Sequence, residues 1–329
     1  MLNIICEIAN GYYGNLAISK KYIDMAVRAK SNAVKFQIAY ADDMLHQKDK
    51  IFHIIKNNEM SLPNWQKIRN YAKKKKIRFY LDIDGEKAYD VAKKLNPDAI
   101  KIHTTSFFDK RLMSNCLSTF KKIYISISGI HENEVHNLYM YLKSKKILDK
   151  IVFLFGHQNV PTKIENTNLS RMMYFKKKYK NLNFGFMDHI RGSSSYKYSL
   201  SVFALGLGIS CFEKHLTISR KKKLIDSTSA LEGNEFKNYV KILYDHQKSL
   251  GKYNKKLTNS EIIYRSNSLT VIHSKTKIKK NQKITYNNIT HKRPLNLSNK
   301  HIVNPNQVIG KISKLEIELN QPIKLNQLR

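Results

Sequence analysis

Residues 184–215 read FGFMDHIRGSSSYKYSLSVFALGLGISCFEKH, and this stretch carries the pattern of the chain. An apolar, aromatic run from Phe184 to Met187 stops at Asp188-His189. A helix-period segment, Tyr198–Leu205, follows, and a second β-type run, Gly208–Phe212, stops at Glu213-Lys214-His215. Strand, polar end, helix, strand, polar end is the repeating unit of a parallel α/β sheet. The unit recurs upstream, with β-type runs at Ile4–Ala9, Ala33–Phe36, Phe79–Leu81, Ala99–Ile102, Ile123–Ile127 and Ile151–Phe155. Helix-period segments lie at Ala17–Lys30, Trp65–Lys75, Glu86–Leu95, Glu134–Lys143 and Leu169–Tyr179, and a last one, Glu235–Leu250, follows the eighth run. Eight strands alternating with helices over about 250 residues predict a TIM (β/α)8 barrel.

A barrel's chemistry sits at the C-terminal ends of its strands, where the loops converge on one axis. In order, those ends carry Glu7; Lys35 and Gln37; Asp82 and Asp84; Lys101 and His103; Ser126 and Ser128; His157; Asp188 and His189; Glu213 and His215. Chemically capable groups stand at every end, which reads as an active site. His189 and His215 close adjacent strands, each beside a carboxylate, so both imidazoles can face one mouth and hold a divalent ion. The alternative is that each ring bonds only to its own loop. Lys35 and Lys101 interrupt apolar strand runs. A buried lysine is costly unless paired, so both suit a phosphate- or carboxylate-bearing ligand. A Schiff-base lysine, or an ion pair with Glu7 or Asp82, would also explain them.

After Leu250 the pattern changes. A length of 329 residues allows about two domains. The expected division is a barrel over 1–250, a polar, lysine-rich linker over 251–262 and a small domain over 263–329. That domain carries short β-type segments at Ser268–Ile272, Lys277–Lys283, Ile289–Arg293 and Ile317–Ile323. It is too small to bury much core alone.

Lys and Arg number 59 against 25 Asp and Glu, a formal charge of +34. Such a charge can mark a nucleic-acid binder. Here the lysines are scattered along most helices and the tail, with Asn, Ile and Tyr also abundant, so compositional bias is the favoured explanation and nucleic acid the disfavoured partner. The longest apolar run, Ser201 to Phe212, is shorter than the ~20 residues of a membrane span. Three cysteines without metal-like spacing fit a reducing compartment, and the expected location is the cytoplasm.

Taken together, Glu7-Ile8-Ala9-Asn10 with Gly14-Asn15-Leu16, Ala33-Val34-Lys35-Phe36-Gln37, Lys101-Ile102, Asp188-His189 and Glu213-Lys214-His215 resemble the sialic acid synthase family. In the tail, His291-Lys292-Arg293-Pro294 and Val308-Ile309-Gly310-Lys311 look like that family's antifreeze-like domain. The resemblance runs through nearly the whole chain in order. It implies condensation of phosphoenolpyruvate with an N-acylmannosamine-type sugar to a nonulosonic acid. It also implies a divalent ion, Mn2+ before Mg2+ or Co2+, and a swapped homodimer.

By the same matching, His189 and His215 are the metal ligands and Glu7 the acid beside them. Lys35, Lys101 and Thr104 bind phosphoenolpyruvate. Gln37 and Asp226 bind the sugar, and Arg293 reaches its acyl group from the partner chain. The sequence departs from the family at Tyr12, where a histidine is usual, at Asp82, where a small hydroxyl residue is usual, and at Ser106, where a glutamate is common. Ile127-Ser128-Gly129 alters a Ser-Thr-Gly turn, and Gly192–Ser195 lengthens the loop between the histidines. Another phosphoenolpyruvate–aldose synthase on the same barrel is the nearest alternative, disfavoured by the arginine-bearing tail; a basic nucleic-acid-binding protein is the alternative of a different class.

Overall fold

The computed structural model describes residues 2–222, 225–251, 255–293 and 302–329. Its strands are β1 (Asn3–Ala9), β2 (Ala33–Ala39), β3 (Arg78–Asp84), β4 (Ala99–Ile102), β5 (Ile123–Ser126), β6 (Ile151–Phe155), β7 (Asn183–Asp188) and β8 (Cys211–Thr217). They pair in parallel in chain order, and β8 returns to pair with β1, which closes a TIM barrel. A short strand, Leu231–Glu232, adds to β8 beyond the barrel rim.

Strand alternation sorts the side chains to two sides of the wall. Ile4, Cys6, Val34, Phe36, Ile100 and Phe212 point outward and pack with the helices in the main core. Ile5, Ala33, Tyr80, Ala99, Tyr124, Val152, Leu154, Met187 and Cys211 make a second, smaller cluster inside the barrel. The outer helices include Leu16–Arg28, Leu62–Lys74, Glu86–Leu95, Glu132–Ser144, Leu169–Lys178, Ser199–Gly206 and Gly233–Ser249. Asn15 caps the first of these, its side chain accepting from the backbone N–H of Ile18 at 3.0 Å.

Four differences from the sequence reading have physical causes. The eighth strand, expected at Gly208–Phe212, is Cys211–Thr217. Gly208, at a φ of +81°, turns the chain out of the preceding helix. The charges at Glu213 and Lys214 do not end the strand, because each finds buried partners on its own side of the wall. A helix at Lys110–Thr119, unpredicted, buries Leu112, Met113, Cys116 and Leu117 and is capped by Asp109. Two further helices, Ala41–Met44 and Phe52–Asn58, occupy the loop after β2. The linker expected over 251–262 is cut short by a helix at Asn259–Ser268, where Thr258 and Glu261 form a capping box.

The chain divides into two compact units, Met1–Gly251 and Lys252–Arg329. The second holds an antiparallel pair, Val271–Ser274 with Ile289–Lys292. Ile272, Ile278, Ile284, Ile289, Ile302, Val308, Ile317, Ile323 and Leu328 form its own core. Arg293 is exposed within that unit, while Pro294 of the expected tail motif lies outside the described residues. Among the described residues, no helix is long and apolar enough to cross a membrane.

Candidate active site

Above the apolar cluster inside the barrel lies a layer of charge. Lys35 from β2 and Lys101 from β4 project inward and are buried, together with Glu7 from β1, Asp82 from β3 and Glu213 from β8. Lys35 Nζ contacts a Glu213 carboxylate oxygen and lies 2.7 Å from Glu7 Oε2 and 3.9 Å from Asp82 Oδ2. Lys101 Nζ lies 2.9 Å from Asp82 Oδ2 and 3.1 Å from Glu213 Oε1. Two cations thus face three carboxylates. The sequence left an anionic ligand and ion pairs with Glu7 or Asp82 as alternatives for these lysines, and in the structure both are ion-paired.

Burial and charge set the protonation of this layer. Burial pushes Glu7 upward, Lys35 opposes that and Glu213 reinforces it, leaving its carboxyl at about 8. Burial also acts against an ionised Glu213, but Lys101 and Lys35 outweigh it and hold the carboxyl well below the usual range. Lys101 is held above its ordinary value, because Asp82 and Glu213 outweigh its desolvation.

Over this layer opens a cavity of about 340 Å³ at the C-terminal end of the strands. Glu7, Asn10, Gln37, Lys101, His189, His215 and Asp226 all line it. His189 follows β7, and His215 sits within β8, two residues past Glu213 on the same side of the strand. Their Nε2 atoms are 3.1 Å apart. Burial drives both imidazoles down, His215 to about 3, and each ring opposes a proton on its neighbour or feels the nearby lysines. Two neutral imidazoles with facing nitrogens suit a divalent ion, since nitrogens about 2.0–2.1 Å from one ion lie roughly this far apart. Among the described residues, no group of three or more His, Cys, Asp or Glu side chains is arranged as a metal site.

The alternating positions carry a different load. Lys214 points away from the cavity, where its Nζ pairs with Asp188 Oδ1 at 3.0 Å. Asp188 therefore serves the wall between the two histidine strands rather than the cavity. Its other oxygen accepts from Ser201, whose Oγ accepts from Tyr239.

The remaining expected residues divide. Gln37 accepts from Asn10 at 2.9 Å and lines the cavity. Asp226 takes a left-handed backbone, φ +60°, and its carboxyl is raised by burial against the pull of His189. Thr104 bonds Ser126 at 2.6 Å and Gln158 at 3.1 Å, beside the cavity lining rather than in it. Tyr12 is a core residue, donating to the Gln37 carbonyl at 3.0 Å and packing edge-on to Trp65 and Phe36. Ser106 donates to Asp84 Oδ1 at 2.9 Å, as does Thr105 at 2.7 Å. His157 is exposed, and its neighbour Gln158 lines the cavity instead.

Two features went beyond the sequence reading. Glu213, read only as one of the strand-end groups, is the hub of the charged layer, meeting both lysines. The apolar rim of Met44, Ile51, Ile54, Ile55, Val160 and Ile225 gave no signal, because it comes from irregular loops and the two short helices.

A closed parallel barrel with ionisable groups gathered at the C-terminal mouth is a TIM-barrel enzyme. The NeuB family model matches residues 22–255, and the chain belongs to that family. It is 26% identical over 291 residues to an uncharacterized protein of Methanocaldococcus jannaschii, covering 88% of this chain and 84% of that one. It is 25% identical over 312 residues to the N,N'-diacetyllegionaminic acid synthase of Campylobacter jejuni, covering 89% and 90%. The solved N-acetylneuraminic acid (sialic acid) synthetase of Leptospira borgpetersenii superposes with a TM-score of 0.74 at 24% identity, covering 82% and 92%. The chain is accordingly an enzyme of the acid-synthase kind.

Proposed function

We propose that this enzyme condenses phosphoenolpyruvate with an N-acylmannosamine-type sugar, giving a nonulosonic acid and inorganic phosphate. The observation that carries the reading is a single cavity in which Glu7, Lys101, His189, His215 and Asp226 converge, in a chain of the NeuB family. Lys35, Lys101 and Thr104 are assigned to the donor, and Gln37 and Asp226 to sugar hydroxyls. The apolar rim of Met44, Ile51, Ile54 and Ile55 suits the methyl of an N-acyl group, which a plain aldose lacks.

His189 and His215 would hold the divalent ion, Mn2+ by preference, whose contribution when bound is to polarise the sugar aldehyde. Glu7, with a carboxyl near neutrality, is poised to exchange the proton of the water that adds to the enol carbon. Holding both reactants in one cavity supplies up to roughly 7–11 kcal/mol of the barrier. The second unit is assigned as the antifreeze-like domain of a swapped homodimer, with Arg293 serving the sugar's acyl group.

The test is a panel of acceptors incubated with phosphoenolpyruvate and Mn2+ and read by mass spectrometry. N-acetylmannosamine, a dideoxy diacetamido hexose and an unacylated pentose phosphate are the three arms. Product from an acylated sugar supports the reading. Product from the pentose alone would replace it with an eight-carbon sugar-acid synthase.

A further inference from the structure

The barrel wall also holds a buried ion pair that the proposed reaction does not use. Lys214 and Asp188 are partners in the register of β8 with β7, and both side chains are buried. Neighbours along a strand lie on opposite sides of it. His215 and His189, one residue further on, therefore line the cavity, while this pair faces the helices that carry Ser201 and Tyr239. Asp188 Oδ1 accepts from the Ile190 N–H at 2.9 Å, forming an Asx turn with His189 as its middle residue. Lys214 Nζ lies 3.0 Å from the same oxygen and donates to the Ile190 carbonyl at 3.4 Å. It thus holds both ends of the turn from the strand that carries His215. The His189 carbonyl is fixed as well, accepting from the Thr162 N–H at 2.9 Å and from Ser229 Oγ at 2.8 Å.

A buried ion pair is weak evidence for stability, since well-packed apolar side chains of similar volume often serve as well or better. Apolar side chains here would leave the Ile190 peptide without its tether to β8. We propose that Lys214 and Asp188 are positioning residues for the imidazole pair, holding His189 and His215 at their 3.1 Å approach from the opposite side of the barrel wall. The inference rests on those two rings being the metal ligands.

Mn2+ affinity and stability, measured on the full chain without substrates, separate positioning from mere support of the wall. Free Mn2+ is read from its electron paramagnetic resonance signal and the urea midpoint from Trp65 fluorescence. Lys214→Met strands the Asp188 carboxylate and should lower both quantities. Lys214→Met combined with Asp188→Asn removes the stranded charge but does not restore the grip on Ile190. Its urea midpoint should recover toward wild type, while its Mn2+ affinity stays about tenfold or more below, the loss usual when partners that orient metal ligands are removed. Should the single variant not fold, the double variant decides alone. Affinity that follows the urea midpoint across the variants, or that neither variant loses, overturns the inference and leaves the metal assignment standing. Wild type that binds no Mn2+, or that binds it equally after His189→Ala with His215→Ala, removes the metal assignment and this inference with it.

Discussion

Lys101→Met is the sharpest perturbation of the charged layer. Lys101 is 2% exposed and meets Asp82 and Glu213 at 2.9 and 3.1 Å. Removing it leaves Lys35 alone against three carboxylates, and breaking a buried ion pair from one side costs about 3–5 kcal/mol. Asp82→Asn leaves Lys101 paired with Glu213 at 3.1 Å and should cost less. In the double variant the Asp82 charge is no longer stranded, so the loss should fall short of the sum by about 2 kcal/mol, within the range found for directly contacting residues. Urea unfolding can be followed through the chain's single tryptophan, Trp65, which is buried against Tyr12 and so reports on the barrel. A Lys101→Met loss under about 1 kcal/mol, or a cycle additive within about 0.5 kcal/mol, would refute the ion-pair account.

The metal-free protein should lose stability as pH falls from 6.5 toward 3, because the depressed imidazole of His215 stabilises the fold only while unprotonated there. That window is worth on the order of 5 kcal/mol, and His215→Asn should flatten it in acid denaturation. Glu7 acts with the opposite sign: raised to about 8, it favours the fold below its ordinary value and withdraws that support as pH rises, a slope Glu7→Gln should erase. His189→Ala and His215→Ala should each lower bound Mn2+ together with activity, measured by elemental analysis after gel filtration; full occupancy in the double variant would remove the metal assignment. Arg293→Ala should raise KM for the sugar far more than for phosphoenolpyruvate, reflecting loss of about 1.5–3 kcal/mol of charge-assisted hydrogen bonding. Mixing that chain with His215→Ala should restore activity in mixed dimers, and demonstrated mixed dimers without activity would sink the shared site.

The barrel was legible because its outer-facing residues make short apolar runs at regular intervals, and a run such as Ala99–Ile102 reads the same in sequence and in space. Lys35 and Lys101 were legible for the complementary reason, as charges where only apolar residues are otherwise allowed. What stayed hidden depends on partners distant in sequence. Glu213 and Lys214 read as a strand end because charge usually stops a strand, whereas here Lys35, Lys101 and Asp188 absorb those charges and let β8 run on to Thr217. Tyr12, noted in the sequence only as a departure from the family's usual histidine, is buried against Phe36 and Trp65. The helix at Lys110–Thr119 was masked by its Lys-Arg start and its serines and asparagine, though its apolar residues keep helical spacing.

Phosphate release tests the central claim most directly. In the proposed condensation the donor's methylene forms the new bond to the aldehyde carbon, and water adds to the enol carbon. Collapse of that tetrahedral carbon then expels phosphate with its bridging oxygen. Lys35 and Lys101 are assigned to holding charge, and no step places a nucleophile on phosphorus. Phosphoenolpyruvate carrying ¹⁸O at the bridge, turned over with an acylated mannosamine, should give inorganic phosphate that retains the label. Unlabelled phosphate would mean cleavage between phosphorus and oxygen, and would contradict the account even if the expected sugar acid were formed.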